Sequence, residues 1–531
     1  MRLAADPTHR EAPIFLHVAR GGWRFARPLG RRLEARRSIT RPDSTPMHLI
    51  GRIDRWGRET PERAAHISGE RTLTYAELCA RSDALAAWIE RELGGNRGPV
   101  AVLGHKEPEM LIAFLAVVKS GRAYVPIDTA LPPQRIDRII ETAAAALTLT
   151  PSRVAELAGE NASASCRRVG GDDPFYIIFT SGSTGEPKGV VITLANLTAF
   201  TDWMLGEQRF AENAETFLNQ APFSFDLSVM DLYLSLVTGG TLFSITKDDV
   251  ANLKNLFEKL ARSGVTSWVS TPSFAQMCLI ERGFTQAMLP GLRRFLFCGE
   301  TLAPETAAQL LDRFPQAEVW NTYGPTEATV ATSSIRVDRD VLVKNPTLPI
   351  GYTMPGTRLL ICDENGAQLP EGERGELVIA GPNVSPGYFR RDDLTAKVFS
   401  LRDGLRAYRT GDWAREVGGL FFCDGRMDGQ IKLFGYRIEL GDLEANLRAL
   451  PEIADAVVLP VRKAGKIESL AAFVILAVEK VGTDFEMTAS LKAKLAERLP
   501  AYMLPRKFHF LETFPMTPNG KADRRALAER L

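Results

Sequence analysis

The sequence predicts an α/β protein in which a large domain of parallel-rich sheets with packed helices precedes a small, mobile α+β domain. Three observations predict it. Short apolar runs typical of strands alternate with helical stretches from residue 47 onward, turns rich in glycine, proline or polar residues bound these runs, and the pattern changes after residue 427. At 531 residues, the chain is long enough for several structural units.

The elements are expected in a repeated strand and helix order. The expected helices are residues 48–56, a helix starting at Leu73-Thr74-Tyr75, residues 110–119 and residues 491–499. The expected strands are residues 99–103, 124–127, 175–179, 265–269, 295–297, 319–323 and 377–379, and two β-branched runs at 456–461 and 471–476. Because short apolar strands alternate with helices, we expect largely parallel sheets.

The chain is expected to divide into three parts. Residues 1–46 hold ten arginines and four acids, a net charge of +6, and we expect a disordered leader or a start codon assigned upstream of the true start at Met47. A removed targeting segment is the alternative, although residues 12–19 lack a small-residue cleavage site. A large domain is expected at residues 47–427 and a small domain at 428–531, because charge and glycine at residues 426–429 interrupt apolar sequence where the chain could swivel.

Composition excludes several classes of function. The 65 basic and 64 acidic residues give a formal net charge of +1, which removes any whole-protein argument for binding nucleic acid or a membrane surface. No apolar run reaches the roughly 18 residues that span a bilayer. The six cysteines form no CxxC pair, which favours a reducing, cytoplasmic compartment. No histidine lies between residues 106 and 508, so chemistry with a histidine base is not expected.

A loop rich in glycine and hydroxyl groups follows the expected strand at 175–179. It reads FTSGSTGEPKGV at residues 179–190, and it brings hydroxyls, accessible amides and one lysine together. It is not a Walker A loop, because Pro187 precedes the lysine and Gly189 follows it. A serine-glycine linker is the alternative, but linkers rarely follow a buried strand. The sequence predicts a phosphate loop with these residues: Thr180, Ser181, Gly182, Ser183, Thr184, Gly185 and Lys188.

Further side chains suit a nucleotide. Tyr323 lies in a Gly-Pro turn where its ring can stack on a purine, and Asn321 and Thr322 can hydrogen-bond to a base edge. Glu327 could hold Mg²⁺ against nucleotide phosphates, and Asp412 could accept both hydroxyls of a ribose. A packed aromatic is the alternative for Tyr323, a helix-capping carboxylate for Glu327, and a surface salt bridge for Arg426 and Asp428.

Seven motifs, taken in order, resemble the adenylate-forming ligase superfamily, which includes the adenylation domains of non-ribosomal peptide synthesis, acyl-CoA ligases and luciferases. The motifs are LTYAEL (73–78), KSGRAYVPID (119–128), FTSGSTGEPKGV (179–190), NTYGPTEATV (321–330), YRTGDWAR (408–415), GRMDGQIKLFGYRIE (425–439) and PMTPNGKADRRAL (515–527). The resemblance runs from about residue 47 to residue 531. It implies the adenylate-forming enzyme fold, with ATP and Mg²⁺ as cofactors.

The resemblance also implies roles for individual residues. It makes Lys521 and Glu327 catalytic, Lys521 by contacting the substrate carboxylate and the α-phosphate, and Glu327 as the Mg²⁺ ligand. Arg426 is implied as a nucleotide contact beside the hinge residue Asp428. The implied ATP-binding set is Thr180, Ser181, Gly182, Ser183, Thr184, Gly185, Lys188, Asn321, Thr322, Tyr323, Gly324, Pro325, Thr326, Asp412, Arg426 and Lys521.

One acid points to the substrate. Asp226 lies in a largely apolar run at residues 221–237, so it needs a cation or a polar cavity as its partner. In amino-acid adenylation domains the matching aspartate binds the substrate amine. The segments 221–242, 270–274 and 295–300 resemble the branch that activates D-alanine for a carrier protein. This implies that Cys298 and Val330 line a pocket for a small D-amino acid, whose carboxylate Lys521 contacts; a buried cysteine that only packs is the alternative.

The resemblance implies two half-reactions. ATP and D-alanine give D-alanyl-AMP, and the phosphopantetheine thiol of a D-alanyl carrier protein then takes the D-alanyl group. We expect this carrier in trans, no nucleic-acid partner, no integral membrane association, and a cell-envelope polymer such as lipoteichoic acid as the final destination. Two alternatives stay open: a free-standing adenylation enzyme for another small amino acid in secondary metabolism, and a non-catalytic scaffold that binds a nucleotide or a carrier.

Overall fold

The computed structural model of the chain describes residues 48–159, 168–182, 186–212, 214–433, 436–463, 466–479, 482–517 and 522–531. All of them belong to one compact unit, residues 48–531. The expected leader at residues 1–46 lies outside the described residues.

The strands alternate with helices along most of the chain. The strands are β1 (Ala64–Ser68), β2 (Arg71–Thr74), β3 (Val100–Gly104), β4 (Tyr124–Asp128), β5 (Leu147–Leu149), β6 (Pro174–Thr180), β7 (Lys188–Thr193), β8 (Thr216–Asn219), β9 (Thr241–Ser244), β10 (Ser267–Ser270), β11 (Arg294–Phe297), β12 (Glu318–Tyr323), β13 (Ser333–Val337), β14 (Tyr352–Thr353), β15 (Arg358–Cys362), β16 (Gly375–Ala380), β17 (Gly387–Tyr388), β18 (Phe399–Arg402), β19 (Leu405–Val417), β20 (Leu420–Arg426), β21 (Gln430–Leu433), β22 (Tyr436–Glu439), β23 (Ile453–Lys463), β24 (Lys466–Leu476) and β25 (Lys507–Phe510).

The helices range from one turn to five turns. They are α1 (Leu49–Glu59), α2 (Tyr75–Leu93), α3 (Pro108–Lys119), α4 (Pro133–Thr142), α5 (Pro151–Leu157), α6 (Leu194–Gln208), α7 (Leu227–Thr238), α8 (Lys247–Ala251), α9 (Leu253–Arg262), α10 (Pro272–Cys278), α11 (Pro304–Arg313), α12 (Arg339–Lys344), α13 (Asp392–Val398), α14 (Leu440–Arg448), α15 (Asp484–Ala496) and α16 (Arg524–Ala528). Two short 3₁₀ turns are Thr326–Ala328 and Ala501–Met503.

The largest sheet has nine strands in the order β14-β13-β12-β11-β10-β8-β9-β1-β2. Its strands from β12 to β1 run parallel, and antiparallel strands close both edges. All four residues of β10 and all four of β11 are buried, as is typical of strands that are covered on both faces. The expected parallel arrangement is confirmed for this sheet.

A second sheet has six strands in the order β17-β7-β6-β4-β3-β5, of which β3, β4, β5 and β6 run parallel. Helix α3 contacts strands of both this sheet and the nine-stranded sheet, and all of its residues are buried. The equally buried α7 is tied to β4 by a hydrogen bond of 2.8 Å between the hydroxyls of Tyr124 and Tyr233. The carboxyl ends of β6 and β12 are where the site forms.

A third sheet, β15-β16-β19-β18 with β20 on β19, is antiparallel throughout. The expectation of largely parallel sheets is wrong for this part, where only the strand at 377–379 was predicted. The length of the connections explains the antiparallel pairing. Two residues join β18 to β19 and two join β19 to β20, which is too few for a parallel crossover. Gly418 and Gly419 both have positive φ, as such a hairpin turn requires.

The C-terminal part contains the hairpin β21-β22 and the sheet β23-β24-β25, with α14 and α15. Buried side chains between Ile431 and Met503 form a hydrophobic cluster of their own. Helix α15 begins earlier than the expected helix at 491–499, because Thr483 and Glu486 form a capping box. The expected fold class, an α/β body with a smaller α+β part, is confirmed, whereas the boundary at residues 427 and 428 stays a prediction.

Candidate functional site

A cavity lies at the carboxyl ends of β6 and β12, beside the C-terminal hairpin β21-β22. Ligands bind at this edge of open α/β sheets. The large sheets and their loops contribute Thr180, Ser181, residues 224–226, residues 323–326, Asp412 and Arg426. The C-terminal part contributes Gln430, Lys432, Arg437, Tyr502 and Met503. Predicted residues from motifs far apart in the chain therefore line one cavity.

The predicted phosphate loop begins where β6 ends. Ser181 is buried, and its hydroxyl donates to the Arg437 carbonyl oxygen at 3.1 Å. A Cβ atom on Gly182 would lie 2.2 Å from the carbonyl oxygen of Glu186, so only glycine fits there. Residues 183–185 of the prediction lie outside the described residues. The described part of the loop is compact and contacts the C-terminal hairpin.

Glu327, the predicted metal ligand, is fully buried among three donors. The Tyr388 hydroxyl donates to Oε1 at 2.8 Å and the Arg437 guanidinium donates to Oε2 at 2.6 Å, while Lys188 Nζ lies 3.7 Å from Oε1. Burial alone would raise the pKa of Glu327, but Arg437 and Lys188 hold it well below its usual range. Glu327 is therefore ionised, and protein cations balance its charge.

Lys188 joins the phosphate loop to this cluster. It is the first residue of β7, and its ammonium donates to the Tyr388 hydroxyl at 3.2 Å and lies 4.7 Å from the centre of that ring. Burial, and the positive charge of Arg437, lower the pKa of Lys188. Two cations thus share one carboxylate, and an additional anion beside Lys188 would be stabilised by the excess positive charge.

Asp412, Tyr323 and Arg426 form a second cluster. Asp412 is a buried residue of β19; one oxygen accepts a hydrogen bond from the Tyr323 hydroxyl, and the other accepts from the Arg426 guanidinium at 3.1 Å. Burial, and then the charge of Asp412, raise the pKa of Tyr323, so this hydroxyl stays protonated. The residues predicted to contact the ribose, the base and the nucleotide therefore lie in direct contact.

The predicted substrate residues come from three elements. Asp226 precedes α7, Cys298 follows β11, and Val330 follows the 3₁₀ turn Thr326–Ala328. The Cys298 thiol is buried and donates to the Val330 carbonyl oxygen at 3.5 Å, whereas Asp226 lines the cavity. Burial raises the pKa of Asp226 and that of Cys298, which keeps the thiol protonated. A cation beside Asp226 would lower the pKa of its carboxyl group again and so oppose the effect of burial.

The turn that carries Val330 is strained. Thr329 and Val330 have φ of 53° and 69°, a left-handed conformation that β-branched residues rarely adopt. Asn383 holds the turn, because its amide donates to the Ala328 carbonyl oxygen at 2.8 Å and its backbone carbonyl oxygen accepts from the Thr329 hydroxyl at 2.7 Å. A Cβ atom on Gly324 would lie 2.7 Å from the Val330 carbonyl oxygen. Packing therefore fixes where Val330 lies.

Other predicted site residues take different places. The side-chain amide of Asn321 donates to the Pro349 carbonyl oxygen at 2.8 Å, and the Thr322 hydroxyl donates to the Phe297 carbonyl oxygen at 2.8 Å. Neither side chain lines the cavity, and their role at a base edge stays a prediction. Lys521 lies outside the described residues.

Asp428 lies between β20 and β21. Its carboxylate accepts hydrogen bonds from the Arg426 guanidinium at 2.5 and 3.0 Å and from the Gln430 backbone amide at 3.0 Å. Burial would raise the pKa of Asp428, but the hydrogen bonds and charge of Arg426 lower it below its usual range. The predicted hinge residue is therefore joined to the predicted nucleotide contact.

Models of two protein families match the chain. The model described as AMP-binding enzyme matches residues 53–170 and 156–389, and the model described as AMP-binding enzyme C-terminal domain matches residues 442–521. The chain belongs to the AMP-binding enzyme family. The first match includes the phosphate loop, Asp226 and Glu327, and the second includes Lys521. The expected membership of the adenylate-forming superfamily is confirmed.

This AMP-binding enzyme has relatives that match it along nearly their whole length. It is 48% identical over 499 residues to the D-alanine–D-alanyl carrier protein ligase of Bacillus mycoides, with 91% of this chain and 99% of that protein covered. It is 47% identical to the protein of the same name from Bacillus thuringiensis, with the same coverage.

Solved structures share the fold. An NRPS protein containing adenylation and PCP domains, in its holo form with a vinylsulfonamide inhibitor, is 27% identical, with a TM-score of 0.77 and with 91% of this chain and 84% of that chain covered. The Vibrio cholerae adenylation domain AlmE, in complex with glycyl-adenosine-5'-phosphate, is 22% identical with a TM-score of 0.78, and the match covers 93% and 99% of the two chains. The second likeness shows the fold alone.

Sequence reasoning did not assign two residues that bind Glu327 in the AMP-binding enzyme. Arg437 lies within the motif at 425–439, which was identified, but its partner is 110 residues away and could not be inferred. Tyr388 lies in no motif. It reaches Glu327 because β17 pairs with β7, beside Lys188.

Two absences apply to the described residues. Among them, no helix has both the length and the apolar character needed to cross a membrane. In the same part of the chain, no group of three or more acidic, cysteine or histidine side chains is arranged to hold a metal ion.

Proposed function

We propose that this AMP-binding enzyme activates D-alanine with ATP and transfers the D-alanyl group to a carrier protein. The observation that carries the proposal is its 48% identity, over 99% of that protein, to a D-alanine–D-alanyl carrier protein ligase. In the first step a carboxylate oxygen of D-alanine attacks the α-phosphorus of ATP and pyrophosphate leaves. In the second step the phosphopantetheine thiol loses its proton, its sulfur attacks the D-alanyl carbonyl carbon, and AMP leaves.

The nucleotide is proposed to bind along the cavity. Tyr323 would stack on the base, and Asp412, whose two oxygens now accept from Tyr323 and Arg426, would accept from the ribose hydroxyls instead. The phosphate loop and Lys188 would contact the phosphates, which is supported by the excess of positive charge around Glu327. These groups bind and orient the nucleotide, so that the α-phosphorus faces the substrate carboxylate.

Mg²⁺ is proposed at Glu327. The fit is supported by the chemistry of the donor, a buried, ionised carboxylate beside the phosphate loop. Mg²⁺ is commonly held by one or two carboxylates together with substrate phosphates, which suits Glu327 beside the phosphate loop. When bound, the ion would neutralise phosphate charge. Glu327 would be its protein ligand. In the structure, the Arg437 guanidinium donates a hydrogen bond to one of the two carboxylate oxygens of Glu327.

D-alanine is proposed to bind with its ammonium group on Asp226 and its methyl group against the wall of Cys298 and Val330. Burial of Asp226 supports a cationic partner. Neither residue lines the cavity described above; both are buried, with Cys298 Sγ 3.5 Å from the Val330 carbonyl oxygen, and close packing there favours a small side chain. From its motif, Lys521 is proposed to contact the substrate carboxylate as negative charge develops at the α-phosphate.

The proposed partner is a phosphopantetheinylated carrier protein supplied in trans. It is supported by the name of the relatives and by the NRPS protein that contains adenylation and PCP domains. A cytoplasmic location and a cell-envelope polymer such as lipoteichoic acid as the final acceptor stay predictions. A panel of substrates distinguishes this proposal from adenylation of another small amino acid.

The test is amino-acid-dependent exchange of pyrophosphate into ATP by the purified protein, with D-alanine, L-alanine, glycine, D-serine and a short fatty acid offered separately. We expect D-alanine to give the highest kcat/KM and Lys521→Ala to abolish the exchange. A higher kcat/KM with another acid would replace the proposed substrate while keeping the reaction. No exchange with any of the five acids would favour a non-catalytic scaffold.

A further inference from the structure

Lys106 is a buried lysine outside the site described above. It lies in the loop between β3 and α3, only 2% exposed. Its ammonium donates to the Asn219 side-chain oxygen at 2.5 Å and to the carbonyl oxygen of Ala221 at 2.6 Å, and it lies 3.3 Å from the carbonyl oxygens of Asn219 and Gln220. Four oxygens of one short segment thus surround a single ammonium group.

These contacts join the two large sheets. Lys106 follows β3 of the six-stranded sheet, and Asn219 is the last residue of β8 in the nine-stranded sheet. The Asn219 amide also donates to Asp231 Oδ1 at 3.0 Å, and Asp231 lies on α7. We call Lys106, Asn219 and Asp231 the buried clamp. It holds both ends of the segment that runs from β8 into α7.

That segment carries Asp226. Residues 222–226 connect the oxygens bound by Lys106 to the start of α7, and the Phe225 amide donates to the Pro222 carbonyl oxygen at 2.9 Å. Residues 224–226 line the cavity. The Lys106 ammonium also lies 5.3 Å from the ring centre of Phe223, within this segment. The position of Asp226 in the cavity is therefore coupled to the clamp.

The clamp is costly to bury, which argues against a passive role. Asn219 and Asp231 are fully buried, and Asp231 Oδ2 has no hydrogen-bond partner among the described residues. Burial lowers the pKa of Lys106 to about 7, against the opposing effect of Asp231 and Asp128. An apolar residue would avoid this cost, but it would remove one donor from each of the four oxygens around the ammonium group.

We infer that Lys106 is a positioning residue that acts through Asp226: the buried clamp fixes the 219–226 segment so that the Asp226 carboxylate meets the ammonium group of the amino-acid substrate. The inference rests on the proposed function for the identity of that substrate. Its structural part, the ordering of the segment by Lys106, is independent of the substrate, because all four oxygens around the ammonium group belong to the protein.

The test compares Lys106→Met with Lys119→Met. Lys119 is a matched control, since it is also 2% exposed and contacts Ser82, Asp83 and Asp54 at 2.7 to 2.9 Å, away from the cavity. For Lys106→Met we expect the KM for D-alanine in pyrophosphate exchange to rise at least about tenfold, as for a lost charge-assisted hydrogen bond, with less than a twofold change in the KM for ATP. Lys119→Met is expected to change neither KM, although it lowers the melting temperature.

Two further measurements keep the inference testable. Hydrogen-deuterium exchange of residues 219–226 should be faster in Lys106→Met and unchanged in Lys119→Met. The double variant Lys106→Met/Asp226→Asn should have the same KM for D-alanine as Asp226→Asn alone, because Lys106 acts through Asp226. If Lys106→Met does not fold, Lys106→Gln, which keeps a donor, should show a smaller rise in the same KM.

The outcomes separate the two proposals. Any of three results would overturn the inference. These are equal rises in the KM for ATP and for D-alanine in Lys106→Met, additive effects on the KM for D-alanine in the double variant, and unchanged hydrogen-deuterium exchange of residues 219–226 in Lys106→Met. A second outcome is that the wild-type protein activates no amino acid, while the 219–226 segment exchanges faster in Lys106→Met and not in Lys119→Met. This outcome would overturn the proposed function and leave the clamp in place.

Discussion

Asp226 is an ionisable side chain in an apolar turn, and its charge requires a partner. Burial raises its pKa, and a bound ammonium group would favour the ionised carboxylate. We expect Asp226→Asn to raise the KM for D-alanine by roughly 10- to 150-fold, which corresponds to the loss of about 1.5–3 kcal/mol for a hydrogen bond to a charged group. The KM for ATP should stay within a factor of about two. Steady-state pyrophosphate exchange measures both.

A surface carboxylate provides the control for that prediction. Asp202 pairs with Arg52 at 2.7 Å, and its side chain is 56% exposed. Asp202→Asn should leave both KM values unchanged, because exposed ion pairs contribute little. An Asp226→Asn variant with the wild-type KM for D-alanine would show that the ammonium group binds elsewhere.

At the scale of elements, the connection between β20 and β21 is the place where a small domain could rotate. Asp428 holds this connection through Arg426 and the Gln430 amide. We propose a hinge at Asp428, and we expect Asp428→Pro, which fixes φ near −65°, to lower carrier loading at least about tenfold while pyrophosphate exchange falls less. Radiolabelled D-alanine transferred to the carrier measures loading.

The control for the hinge is Asp428→Ala, which removes the same hydrogen bonds but leaves φ free. It should load the carrier better than Asp428→Pro. Full loading by the proline variant would contradict the hinge, and equal loss in both variants would assign the effect to the lost hydrogen bonds instead of to the backbone.

At the scale of the whole molecule, one buried histidine predicts sensitivity to acid. His66 is fully buried in β1, 2.8 Å from the Ser244 hydroxyl, and burial, followed by the charges of Lys106 and Arg71, lowers its pKa from 6.5 to about 3. The unfolded chain therefore binds a proton between pH 6.5 and pH 3 that the folded chain does not. The stability contributed by neutral His66 is complete above pH 6.5 and is lost as the pH falls towards 3.

This effect should amount to about 2 kcal/mol of unfolding free energy between pH 7 and pH 5. We expect His66→Gln, whose amide can still donate to Ser244, to shift its urea midpoint less between these two pH values than the wild-type protein does. Circular dichroism at both pH values measures the midpoints. Equal shifts in the two proteins would show that other groups cause the acid sensitivity.

Local patterns were sufficient for the elements and for many site residues. The loop at 179–190, the turn at 321–330 and Asp412 were predicted because strand ends, glycines and hydroxyls act over a few residues. The antiparallel third sheet was not predicted, since its pairing depends on the tight turns that join β18 to β19 and β19 to β20. The expected helix at 491–499 was shifted because a capping box at Thr483 sets its true start.

By itself, the sequence determined the fold class, the family and the order of the phosphate loop, the nucleotide turn and the C-terminal lysine motif. Only the tertiary structure decided that Arg437 and Tyr388 bind Glu327, and that Lys106 binds the segment leading to Asp226. These pairs lie 110, 61 and 115 residues apart along the chain. Helix and strand propensities act between near neighbours, whereas such contacts exist only after the sheets have packed.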